Sequence, residues 1–233
     1  MTTAEREIRR SGTNTDDQQR KRRGHKALIA LAVTAALLGI GAYAVTRAPA
    51  GPRTLRRFEP ARLADLELRM WQAYYAKKNV RLFALLVTML REQYRYSWAT
   101  ATREAFHLAR AAATFGNARS NYDQVLPDLE SGYTIARDWL GARFDPKAVA
   151  RAELAWWVAR RIPGQDSPEH VGDLIADSYA LLYETSRDVV RESGRLRARA
   201  AAIRDSQASA PDWMTIGRLL DQSYVALHDA VAN

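Results

Sequence analysis

No cysteine occurs in the 233 residues. That removes a disulfide framework, a thiolate nucleophile and thiolate metal ligation together, and it permits an oxidising compartment without requiring one. The G-x-S-x-G, P-loop, G-x-G-x-x-G and H-E-x-x-H patterns are missing as well, so hydrolase, nucleotide-binding and zinc-protease chemistry have no residues to rest on. No segment alternates apolar and polar residues with the period of two that a half-buried strand needs. Lysine is scarce: 30 of the 35 basic residues are arginine, and alanine is abundant, a composition typical of GC-rich bacterial genomes. What remains is 47% apolar and 9% aromatic, enough for one buried domain and a short appendage.

The formal charge of +9 suggests nucleic acid until it is divided along the chain. Residues 1–26 hold eight Lys/Arg and four acids, and residues 46–57 hold four arginines and no acid. Positions 58–233 keep 23 basic and 22 acidic residues, so the large domain is nearly neutral and lacks the basic face that displaces counterions from nucleic acid. The charge flanks an apolar run instead. Arg20, Lys21, Arg22, Arg23 and Lys26 precede 19 uncharged residues at 27–45, which as a helix would cover about 28 Å of a hydrocarbon core of roughly 30 Å. Ala42-Tyr43-Ala44 and Ala48-Pro49-Ala50 each fit a signal-cleavage pattern, yet the run exceeds a usual h-region and a 26-residue tail precedes it, which favours a retained single-span anchor. The denser cations lie before the span and the looser Arg47, Arg53, Arg56 and Arg57 after it. The expected address is therefore a bacterial inner membrane, with the N-terminus cytoplasmic and the main domain extracytoplasmic. Small-xxx-small pairs among Ala32, Ala35, Ala36 and Gly39 would let two spans approach, which makes a homodimer one expected partner besides the bilayer.

The remainder divides into a polar tail at 1–26, a Pro- and Gly-containing linker at 46–57 and a bundle at 58–233. Pro60 suits a first helical turn, with Leu63, Leu66, Met70, Trp71 and Tyr74 on one face. The run at 82–90, apolar nearly all round, is expected at the bundle centre. Further helices are expected from about 98 to Gly116, from about Pro127 to Gly141, after Asp145-Pro146, after Ser167-Pro168, over about 186–206 with Val189, Leu196 and Ile203 as its stripe, and after Asp212. This makes an all-α bundle of about eight helices, with a solenoid as the second choice.

Three features invite chemistry. Glu104-Ala-Phe-His107 has the Glu-x-x-His spacing of di-iron bundles, which requires a second copy that this chain does not contain. Neither a metal nor another cofactor is expected. Glu130-Ser131-Gly132-Tyr133 resembles the start of the lytic transglycosylase signature. That resemblance implies Glu130 as general acid toward a glycosidic oxygen in an extracytoplasmic glycan-acting enzyme, although the downstream IARDWLGARFDP departs from the family's pattern. Aromatic concentrations come third. Trp71, Tyr74 and Tyr75 share one helix, and Trp156-Trp157 precedes Arg160-Arg161 on another. These are residue types enriched at interface hot spots, and Trp71, Tyr75, Trp156, Trp157, Arg160 and Arg161 become the interface candidates. Adjacent residues sit about 100° apart on a helix, so both indoles of the Trp pair cannot point into one core. Glu67 and Glu153 each stand four residues before a tryptophan. The sequence thus favours a non-enzymatic, membrane-anchored interaction or scaffold protein, an accessory subunit of an envelope complex with another protein as partner. A small-molecule or lipid-binding bundle with an aromatic-lined cavity is the further alternative.

Overall fold

The structure, a computed structural model, describes residues 34–207 and 209–232. The chain divides between Arg47 and Ala48. Before the division, residues 34–46 form a helix, α1, with Leu37, Leu38, Ile40 and Tyr43 exposed and the Thr46 hydroxyl donating to the Ala42 carbonyl at 2.7 Å. Among the described residues no helix is long and apolar enough to cross a membrane. The expected tail at 1–26 and the first seven residues of the expected span, 27–33, lie outside the described residues.

From Ala48 onward the described residues are all helical in their regular structure, without strands. The helices are α2 (Pro60–Tyr75), α3 (Asn79–Tyr94), α4 (Trp98–Asn117), α5 (Leu126–Leu140), α6 (Pro146–Ala159), α7 (Pro168–Leu182), α8 (Arg187–Ser206) and α9 (Trp213–Val231), with a single 3-10 turn (Tyr122–Val125) before α5. Local chemistry sets most starts. Ser97, Asp145, Ser167 and Asp212 each accept a hydrogen bond from a backbone N–H of the first turn, removing one orphan donor apiece. Proline occupies the first or second position of α2, α5, α6 and α7, where its missing N–H costs nothing. Gly141, at φ +65°, ends α5 in the left-handed conformation that a Cβ disfavours.

Each helix packs on the next along the chain, and α9 packs back on α2. Short connections reverse direction each time, so eight helices form a closed up-and-down ring rather than an open solenoid. At one end of the ring lie the C-termini of α2, α4, α6 and α8. At the other lie those of α3, α5, α7 and α9, and the segment at 48–58 is laid across them. Leu55 and Phe58 are buried there, Arg56 donates to the carbonyls of Tyr183 (2.7 Å) and Val231 (3.3 Å), and the Arg53 guanidinium lies 3.9 Å from the Trp139 ring centroid. Most of the expected linker, from Ala48 onward, thus packs on the domain, because the Arg56 guanidinium satisfies carbonyls left open at the ends of α7 and α9 and meets the negative pole of their dipoles.

Two expectations about helix faces differ from what is observed. α3 lies between α2 and α4 in the wall of the ring, with Leu85, Val87 and Leu90 buried but Leu82, Phe83, Leu86 and Met89 only half-buried. In α8 Leu196 is buried and Ile203 packs on the core as expected, but Val189 is 49% exposed, and Val190, Ser193, Gly194 and Ala201 complete the inner face. Close approach explains the second. A Cβ on Gly194 would stand 2.9 Å from the backbone nitrogen of Ala176 and closer still to the Gly172 carbonyl, and one on Gly172 would stand 2.7 Å from the Arg195 Cα. Small residues let α7 and α8 nearly touch at the backbone, so the large apolar residues do not mark this interface. Gly194→Ala should therefore cost at least 2 kcal/mol, on the order of overpacking against backbone that cannot yield. Urea denaturation would show it as a lowered midpoint at unchanged m-value.

Candidate functional site

The interior of the ring is not purely apolar. Glu67 on α2 is 3% exposed and acts as a hub. It accepts from the Trp71 indole N–H (3.2 Å), from the Arg197 guanidinium on α8 (2.8 and 2.6 Å) and from the Tyr224 hydroxyl on α9 (2.7 Å). These bonds tie three consecutive helices of the ring together. Burial by itself would lower the pKa of Arg197, but the neighbouring Glu67 carboxylate outweighs it and holds the guanidinium well above its ordinary value. Burial first, then the Glu67 charge, pushes the Tyr224 hydroxyl up. Arg197 is therefore charged and the phenol neutral.

Glu153 on α6 repeats the arrangement. Its carboxylate accepts from the indoles of Trp156 and Trp157 (3.0 Å each) and from Ser178 on α7 (3.2 Å), and it lies within hydrogen-bond reach of Tyr133 on α5. Arg197 links the two hubs, its guanidinium 4.8 Å from the Trp156 ring centroid. A third carboxyl, Glu104 on α4, is 2% exposed and bonded to the Tyr96 hydroxyl. Burial pushes its pKa up to about 8, against the opposing pull of the Tyr96 hydrogen bond. Gln93 on α3 donates to the hydroxyl of Tyr183, the residue that caps the end of α7, at 3.2 Å, crossing the ring. Each helix of the ring contributes at least one buried or half-buried polar side chain to these contacts: Glu67, Gln93, Glu104, Tyr133, Glu153, Ser178, Arg197 and Tyr224. Such a network fixes helix register and rotation, since any slip leaves a buried donor or charge unpaired.

The six candidates from the sequence fall into two groups. Trp71, Trp156 and Trp157 hold the carboxylate hubs, with Trp156 7% exposed and Trp71 and Trp157 half-buried. Tyr75, Arg160 and Arg161 come together at the end of the ring formed by the C-termini of α2, α4, α6 and α8. Arg160 pairs with Asp205 at 2.7 Å and bonds Tyr75. Arg161 donates to the carbonyls of Phe115 and Ala118 (2.8 and 3.0 Å) and lies 3.7 Å from the Phe115 ring centroid. Arg204 covers Tyr75 at 3.5 Å. Cations thus close this end as Arg56 closes the other. Beside this plug the same end leaves Tyr74 (45%), Val80 (87%) and Met214 (83%) exposed on α2, α3 and α9, next to the exposed Lys77 and Lys78.

The Glu-x-x-His pair separates. Glu104 turns inward to Tyr96, while His107 meets Asp128 on α5 at 3.0 Å, beside Arg110. The Arg110 guanidinium, then His107, holds the Asp128 carboxyl below the usual range. No group of three or more metal-binding side chains occurs among the described residues. Glu130 is half-exposed on α5, its carbonyl accepting from Thr134, while Gly132 faces Leu108 and Glu104 in the packed interior. The carboxyl with the raised pKa is therefore Glu104. The sequence had marked the Glu-x-x-x-Trp pairs, but it gave no sign of Arg197 or Tyr224 as their partners. The available signal was phase: Glu67 falls on the same face as Leu63, Leu66 and Met70.

Fold and interior together define an all-helical closed ring with two buried carboxyl groups, Glu67 and Glu104, and a half-buried third, Glu153. No family model, curated protein or solved structure matches this chain.

Proposed function

We propose that the chain is a single-span membrane protein of the bacterial inner membrane that presents its helical ring, outside the cytoplasm, for contact with another protein. The observation that carries this reading is α1: its leucines, isoleucine and tyrosine are exposed, and it continues an uncharged run that begins at residue 27 behind a cluster of cations. Apolar side chains in such a row are stable when lipid covers them. Two features support a binding role for the ring. Its interior polar groups are spent on one another, which makes a rigid platform, and one end exposes Tyr74, Val80 and Met214 beside lysines, residue types suited to protein contact.

Membrane fractionation tests the anchor. The full chain should sediment with membranes and resist alkaline carbonate, and deletion of 27–45 should release it; extraction of the full chain by carbonate overturns the anchor. A C-terminal reporter should be active only outside the cytoplasm, and cytoplasmic activity would reverse the orientation. In-cell cross-linking from position 214 should trap a second protein that position 218 does not.

A further inference from the structure

We propose that the cleft between the 48–58 segment, the start of α2 and the end of α3 binds a phosphate group. It has a volume of about 440 Å³, enough for a phosphorylated head group or small metabolite and too small for a nucleic-acid duplex. Four arginines line it, Arg57, Arg62, Arg91 and Arg95, against two acids, Glu59 and Glu92. The domain as a whole is nearly neutral, so this density of guanidinium groups is local.

The acids do not use up the cations. Glu92 is engaged by Arg62 through two bonds of 2.8 and 2.9 Å, a fork that fixes one wall. Arg91 is braced by the Tyr96 carbonyl at 2.6 Å and by the Trp98 ring at 4.5 Å, and neither contact neutralises its charge. Arg95 gives one terminal nitrogen to the Ala50 carbonyl at 2.8 Å, while its Nε is buried without a partner among the described residues. That Nε is covered beside Gly51, and the single carbonyl contact leaves the charge of the guanidinium uncompensated. Its position is enforced: Arg95 sits in the left-handed conformation at φ 54°, and Gly51, at φ +119°, leaves room where a Cβ would stand 3.0 Å from the guanidinium. Arg57 is exposed and free. Phe58 and Leu63 floor the cleft.

Arginines bordering one cleft from the 48–58 segment, α2 and the end of α3 suit an oxyanion, and a phosphate offers the bidentate oxygens that guanidinium groups match. The site lies wholly within 48–232 and stands independently of the anchor reading.

The test is isothermal titration of the full chain in neutral maltoside micelles with two probes, inorganic phosphate and a short-chain phosphatidylglycerol. Saturable binding of either supports the site. Phosphate binding identifies a soluble phosphate as the ligand, and binding of the lipid alone identifies a head group. Arg57→Ala, which removes an exposed side chain without partners, and Arg95→Gln should each weaken binding about tenfold, and Arg218→Ala on the exposed face of α9 should leave it unchanged. Absence of saturable binding by both probes, or unchanged affinity in either cleft variant, overturns the proposal.

Discussion

Glu67→Ala should be among the most destabilising single substitutions in this protein, by about 3–5 kcal/mol. The change removes the only acid bonded to Arg197 among the described residues and takes an acceptor from Trp71 and Tyr224 as well. Arg197 is largely covered, its side chain 19% exposed and its guanidinium held against the Trp156 ring. An unpaired charge is left in the interior, and that penalty exceeds anything the lost packing of one glutamate would cost. The double variant Glu67→Gln with Arg197→Met separates the two contributions. It removes both charges, keeps an oxygen for the indole and the phenol, and leaves a thioether over the Trp156 ring. It should recover stability to within about 2 kcal/mol of the parent. Denaturant unfolding followed by circular dichroism measures both. If Glu67→Ala unfolds at the parent's midpoint, the hub does not hold the ring together.

Stability should fall as pH rises from about 5 to about 8, and Glu104 is the cause. Its carboxyl in the folded protein has a pKa raised to about 8, above the ordinary 4.5. Between those values the folded chain keeps a proton that the unfolded chain releases, so the unfolded state binds fewer protons and stability declines with pH through that window, levelling above it. At about 1.4 kcal/mol per unit the full shift sets an upper bound, and relaxation around a buried group brings the expected loss to about 2–4 kcal/mol. Asp128 works in the opposite sense. Its depressed pKa adds stability that is lost as pH falls below the ordinary carboxylate range, outside this window. Glu104→Gln supplies a permanently neutral group of the same shape that still accepts from Tyr96. It should abolish the slope and leave the variant more stable than the parent at pH 8.5. A parent whose stability climbs from pH 5 to 8 would refute the assignment of the proton to Glu104.

Local signals were legible in the sequence and nonlocal ones were not. Asp145-Pro146, Ser167-Pro168 and Asp212 marked helix starts because a cap and its helix lie within four residues. The Glu67–Trp71 and Glu153–Trp157 pairs were visible for the same reason, since residues four apart share a helix face. The stripe of α8 was right at Leu196 and Ile203 and wrong at Val189, because apolar bulk carries no sign that the absence of side chains at Gly172 and Gly194 lets the helices meet. The arginines of 48–58 read as a charged linker, and only the fold shows Arg56 reaching carbonyls 127 and 175 positions away. Tyr75, Arg160 and Arg161 were selected for their chemistry. That they gather at one end depends on the even-numbered helices all ending there, a property of the topology rather than of any segment.

The closure of α9 on α2 also bears on how the protein is made. Synthesis proceeds from the N-terminus, so Glu67 leaves the ribosome about 130 residues before Arg197 and about 157 before Tyr224. Until then a growing chain holds an arc with two bare edges and a carboxylate lacking its principal partners. Joining those edges brings together the residues most distant in the domain, a loop closure that is entropically dear and therefore slow. The ring's final helix, α9, is thus the one that turns a row of helices into a closed domain.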